Sequence, residues 1–222
     1  MLMLLQTAHY FFFLCTLTIQ FAFAQRDTLV HIQFPYMQGY YQFFQGTRYI
    51  DLKDDNIKQA SELAIQFEQK ITESIQKETV KWHKFNTLSQ VGDARMEGYY
   101  FVSVNQNHVY RWHAGPQWNT LMIPTAIYKG LFWKYTREGQ KFKATVMQID
   151  TLINTNFGSH RCFAIRTDTK RMYYNGKKAE SISIDFYDAL IGKIKSVSAI
   201  RYTRKKTLIY SEMLMLTEYR QE

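Results

Sequence analysis

The chain of 222 residues is 46% hydrophobic and 21% charged, with a formal charge of +9 and two cysteines. That balance excludes a disordered tail, a collagen-like repeat, a disulfide-stapled miniprotein and a polytopic membrane protein. It leaves a globular domain rich in rings, with 16 Tyr, 16 Phe and 4 Trp, each able to remove a large apolar area from water.

Residues 1–24 carry no Lys, Arg, Asp or Glu and end in Phe21-Ala22-Phe23-Ala24. Small residues at Ala22 and Ala24 suit the narrow pockets of signal peptidase. The segment therefore reads as a signal peptide cleaved after Ala24, leaving a single β-rich domain over residues 25–222 in the periplasm or outside the cell. The alternative is an uncleaved anchor helix, because the start offers only the terminal amine and His9 as cations. Cleavage removes Cys15, so Cys162 has no intrachain partner and the domain must be held by packing.

One segment carries helical spacing. Ile57, Ala60, Ala64, Phe67, Ile71 and Ile75 recur at intervals of three and four, Asp54 or Asp55 can cap the start, and the pattern predicts a long amphipathic helix ending near Glu78. It is expected to pack one face on a sheet; a mobile lid or docking helix is the sharper alternative.

Elsewhere the chain alternates with period two. Val30, Ile32 and Phe34 face one way until Pro35, and Val80–Leu88 is extended. Tyr99–Val104 and His108–Trp112 flank a short connection, as do Leu131–Arg137 and Lys141–Thr151. His160–Thr167, Ser181–Tyr187, Lys193–Tyr202 and Thr207–Tyr219 follow. Asn175-Gly176 is the strongest short turn signal in the chain. Many strands and one helix predict an α+β domain: a curved, mostly antiparallel sheet with one long amphipathic helix.

Three local patterns in the C-terminal half come in a fixed order: Gly130-Leu131-Phe132-Trp133; Thr155-Asn156-Phe157-Gly158 leading to Cys162-Phe163; and Tyr187 leading to Gly192 and Lys195. This order resembles the TapB-related group of bacterial envelope proteins of unknown function. The resemblance covers Ile123–Tyr219 and extends loosely over Phe34–Ala114; Asn156-Phe157-Gly158 stands where that group carries Pro-Ala-Gly. It implies a curved antiparallel half-barrel similar to LolA-like lipoprotein carriers, and it implies no catalytic residues.

The chemistry-bearing residues give little support for catalysis. Cys162 and His160 are the only nearby thiol and imidazole, on a strand whose unbroken apolar run Cys162-Phe163-Ala164-Ile165 reads as covered on both faces, so the thiol is expected to be structural. His108 and His113 point to opposite faces, and no spacing suits a metal. No phosphate loop or nucleophile elbow is present, so no cofactor is expected.

Residues 161–206 hold 12 basic and 4 acidic side chains. Lys193, Lys195 and Arg201 share one face of their strand on strict alternation, and read either as a contact for an anionic membrane surface or as cations guarding an edge strand. Aromatic runs Tyr40–Phe44 and Tyr99–Phe101 put rings on both faces, one to build a core and one to be covered or to bind. The resulting expectation is an exported, non-enzymatic envelope protein whose groove, walled by Trp82, Tyr100, Trp112, Trp133 and Tyr187, takes a lipid or other amphipathic small molecule. The alternatives are an accessory subunit that presents its aromatic face to another envelope protein, and an unrecognised hydrolase. Nucleic acid is excluded as a partner by export.

Overall fold

The computed structural model of the chain describes residues 30–32, 34, 38–50, 61–77, 79–104, 108–112, 119–137, 139–174, 176–204 and 207–221. Among them there are fourteen strands and no helix. The first seven are β1 (Val30–His31), β2 (Tyr41–Ile50), β3 (Ser61–Lys77), β4 (Val80–Val91), β5 (Ala94–Val104), β6 (His108–Trp112) and β7 (Asn119–Pro124). The remainder are β8 (Ala126–Ile127), β9 (Phe132–Arg137), β10 (Gln140–Thr155), β11 (Gly158–Tyr174), β12 (Lys177–Asp188), β13 (Gly192–Tyr202) and β14 (Leu208–Arg220). The expected signal segment, residues 1–24, lies outside the described residues.

The expected α+β class with a long helix is corrected to all-β. Where the helix was expected, β3 runs as a 17-residue strand paired on both sides, to β2 and to β4; residues 51–60 and 78 lie outside the described part. The reason is visible in the burial. Ile65, Gln69 and Ile71 are buried with Phe67 half-buried between them, while Gln66 and Lys70 are exposed. This is a period-two pattern. The buried Gln69 interrupts its apolar side and leaves the helical stripe as the more visible signal. On the real strand that stripe is not a face: Ala64 is exposed and Ile71 buried.

Twelve strands form one antiparallel sheet in the order β7-β6-β5-β4-β3-β2-β14-β13-β12-β11-β10-β9, and β1 pairs with β8 apart from it. Laid flat, twelve strands would span about 53 Å at about 4.8 Å per step. Yet Ile123 from β7 and Trp133 from β9, the opposite edges, belong to a single buried cluster with Phe85, Val102, Val146, Phe163 and Ile165. The sheet therefore wraps round its own side chains. Ile32, Phe34 and Ile127, brought in by the β1–β8 pair and the segment after β1, are buried in the same cluster. A second cluster joins Phe44, Ile194 and Leu216 to Cys162. Strand β11 stands between the two, with Cys162 in one and Phe163 and Ile165 in the other, which accounts for its unbroken apolar run.

The two halves of the sheet are also tied by polar groups. Gln42 on β2 is fully buried; its Nε2 donates to the carbonyls of Ile191 (3.1 Å) and Lys193 (3.0 Å) at the β12–β13 connection. Its Oε1 accepts from Gln69 Nε2 on β3 at 2.6 Å, and Gln69 Oε1 accepts from the Tyr100 hydroxyl on β5 at 2.7 Å. Tyr40 adds a second donor to the Ile191 carbonyl at 2.7 Å. The connection can approach this closely because residue 192 is glycine: its φ is 94°, and a Cβ there would lie 2.7 Å from the Tyr40 hydroxyl.

The relay makes a prediction. Gln42→Leu removes the acceptor of the buried Gln69 amide and the side-chain donor to the Lys193 carbonyl and is expected to cost about 2–4 kcal/mol in denaturant unfolding, whereas Tyr40→Phe, which leaves Ile191 bonded by Gln42, costs about 1 kcal/mol. Equal effects from both substitutions would contradict the relay.

Candidate functional site

Of the aromatic residues expected to wall a groove, Trp82, Trp133 and Tyr187 are buried and Tyr100 is half-buried. Trp82 is 6% exposed, and Trp133 and Tyr187 are 8% exposed. Tyr187 stacks on Phe163 at 5.5 Å and meets Phe34 at 5.9 Å. Trp133 is buried with its Nε1–H unpartnered. Tyr100 is half-buried, stacked on Phe85 at 5.0 Å, with its hydroxyl spent on Gln69. Trp112 ends β6, and its backbone pairs with Phe101 and Asn119. Tyr187 and Trp133 belong to the cluster that holds the wrapped sheet together, with Tyr100 packed against it.

The cations of β13 have local partners. Lys193 Nζ lies 3.0 Å from Asp185 Oδ1, and Arg201 Nε donates to Glu180 at 2.7 Å. Lys195 sits over the Phe186 ring at 6.0 Å. A register shift between Phe186 and Tyr187, opposite Lys195 and Lys193, puts a bulge between the two lysines, so simple alternation does not describe the row.

His160 has a wider set of neighbours than its sequence context suggests. Its Nε2 is 3.1 Å from Thr155 Oγ1, and its Nδ1 is 3.7 Å from Asp188 Oδ2. The connectivity is that of a hydroxyl–imidazole–carboxylate relay, built into the β10–β11 turn. The Thr155 hydroxyl is shared with the local turn: it lies 3.1 Å from the Gly158 carbonyl, and the Phe157 N–H donates to it at 3.4 Å, so the direction of its bond to His160 follows the imidazole tautomer. Phe157 packs on the imidazole at 5.0 Å, and Asp188 Oδ1 accepts from the backbone of Leu190 and Ile191. The set fastens the β10–β11 turn to the β12–β13 connection. Cys162 is fully buried, and burial, aided by Asp188, pushes its thiol up to about 12.

A cleft of about 480 Å³ opens on β3, β4 and β5, bordered by Glu68, Lys70, Asn86, Arg95, Glu97 and Tyr99. Its wall mixes these charges with Leu88 and the Tyr99 ring, and Arg95 and Glu97 already pair with each other at 3.0 Å. Tyr99, from the aromatic run Tyr99–Phe101, borders it; none of the residues expected to wall a groove or to contact an anionic surface does. Among the described residues, no three His, Cys, Asp or Glu side chains converge as a metal site would need.

No family model and no curated protein matches the chain. Among solved structures it is similar to a Bacteroides fragilis protein described as exported with a YmcC-like fold, at 10% identity and a TM-score of 0.56, covering 86% of this chain and 100% of that one. It is also similar to a Parabacteroides distasonis protein described as a lipoprotein, at 8% identity and a TM-score of 0.52, covering 86% and 99%. At these identities the likeness is one of fold.

Two outcomes follow from the titrating groups. Cys162 is expected to resist iodoacetamide in the native protein at mildly alkaline pH and to react only on denaturation; labelling at the rate of a free thiol contradicts its burial. His83 is held below its ordinary value by burial and by Lys81, and its Nδ1 pairs with Ser74 Oγ at 2.9 Å. A histidine lowered on folding makes the unfolded chain the better proton acceptor. Its contribution is therefore intact above the unfolded value of about 6.5 and lost as pH falls below it. The drop in denaturant stability on acidification is expected to be smaller in His83→Gln than in the native sequence; an unchanged drop removes His83 from the account.

Proposed function

We propose that this chain is an exported, non-enzymatic envelope protein that serves as a structural or accessory subunit, working through its outer surface. The observation that carries the reading is the filling of the wrapped sheet. The described interior is occupied by Ile32, Phe34, Tyr40, Phe85, Ile127 and Phe163, all below 8% exposed. A carrier of a lipid needs an apolar space of several hundred Å³. The cleft of about 480 Å³ described above carries Glu68, Lys70, Arg95 and Glu97 beside Leu88 and Tyr99, so charges share its wall with apolar groups. The carrier reading is therefore set below the subunit reading.

Export is supported by the uncharged apolar stretch of residues 1–24 and by the descriptions of the two structural neighbours as an exported protein and a lipoprotein. The order of motifs shared with the TapB-related group points to the same compartment. Absence of enzymatic activity is supported by the unreactive surroundings of Cys162, whose thiol is fully buried.

Native mass spectrometry on protein recovered gently from the envelope tests this. The expected masses are those of the polypeptide, alone or with a protein partner. A stoichiometric lipid adduct that survives purification would restore the carrier reading and contradict this one.

A further inference from the structure

The basic surplus of the C-terminal half is not spread evenly. Residues 170–178 and 201–206 together hold eight Lys and Arg and no Asp or Glu. These two segments are far apart in sequence, but the sheet brings them together. In an antiparallel sheet alternate turns fall at the same end, and the β11–β12 and β13–β14 turns are alternate turns of three consecutive pairings. They adjoin directly: Ala179 pairs with Tyr202, and Thr203 N–H donates to the Lys178 carbonyl at 3.1 Å. The first turn is held tight by Gly176, whose φ of 71° is the left-handed conformation that the Asn-Gly signal predicts.

The side chains on these tips differ from the cations along the body of β13. Arg201 has Glu180, and Lys193 has Asp185. Lys177 has a ring instead of a carboxylate: its Nζ lies over Tyr202 at 5.4 Å. Lys178 and Arg204 are exposed, and Tyr173 is 66% exposed beside them, paired across the strand with Lys178. Among the described residues, this pair of turns does not border the cleft on β3, β4 and β5. It offers cations with aromatic rings at the same level, the combination that suits a bilayer interface, where ammonium and guanidinium groups meet phosphates and tyrosine sits among head groups.

We propose that the paired β11–β12 and β13–β14 tips, through Lys177, Lys178, Arg204 and Tyr173, dock this protein on an anionic phospholipid surface. The proposal does not depend on the subunit reading, because lipid-surface binding is a property of the isolated protein. It also differs from lipid carriage, since head groups are contacted from outside and no acyl chain is enclosed.

The test is co-sedimentation with vesicles of phosphatidylcholine alone and with phosphatidylglycerol added at about one part in four. The quantity read is the increment in binding caused by phosphatidylglycerol, which subtracts any apolar affinity of residues 1–24. The increment is expected to be salt-sensitive and to fall about a hundredfold in Lys177→Glu/Lys178→Glu/Arg204→Glu, at about fivefold per cation. It is expected to survive in the charge-matched Lys81→Glu/Lys129→Glu/Lys134→Glu, whose lysines are exposed elsewhere. Thermal unfolding of both variants checks their folding, and Lys177→Gln/Lys178→Gln/Arg204→Gln gives a milder version of the loss. No increment for the native protein, equal losses in both Glu variants, or binding to a soluble acidic polysaccharide with none to vesicles would overturn the proposal.

Discussion

Two buried side-chain amides, Gln42 and Gln69, hold a position on which much of the fold depends. An amide inside a wrapped sheet is costly unless all of its strong hydrogen-bonding groups are used. Here the groups form a chain from the Tyr100 hydroxyl through Gln69 and Gln42 to two backbone carbonyls at the β12–β13 connection. The chain crosses from β5 and β3 in one half of the sheet to a turn in the other. Hydrophobic burial alone is non-directional and would let a broad sheet slide as it curls. The directional bonds specify which turn meets which strand, and the Gly192 backbone leaves the space for them.

Several features follow from that placement. With the β12–β13 connection fixed under β2, Tyr40 meets Phe85 and Tyr219 edge-on, at 5.8 and 5.7 Å. Tyr187 is then set between Phe34 and Phe163. Trp133 and Tyr187, with Tyr100 against them, become filling of the sheet. The functional consequence is a shift of attention outward, to surfaces whose charges are not already paired by the packing.

Much of the strand content was legible in the sequence, because period two and turn residues act locally. The hairpin at Asn175-Gly176, the long strands of the C-terminal half and the doubly covered β11 all rest on signals within a few residues. The helix expected over residues 54–78 fails for a specific reason. In β3 the buried face reads Ile65, Phe67, Gln69, Ile71, and a glutamine inside is intelligible only once Gln42 and Tyr100, distant in sequence, are known to be its partners. Position 69 therefore looked like solvent-facing helix surface. The row Lys193, Lys195, Arg201 was likewise read by alternation, which a bulge interrupts and which carries no information about Asp185 or Glu180 across the strand. The joining of two basic turns at one end of the sheet required strand order, which composition shows only as a regional surplus.

The most direct measurement of the central claim is hydrogen exchange of the Gln42 and Gln69 side-chain amides by NMR in the native protein. Side-chain amide protons in water exchange quickly, so protection of these four would report their enclosure. The account predicts that they exchange only with the opening that also frees the backbone amides of β2 and β13. Exchange at the rate of solvent-exposed glutamines, while those backbone amides remain protected, would contradict it.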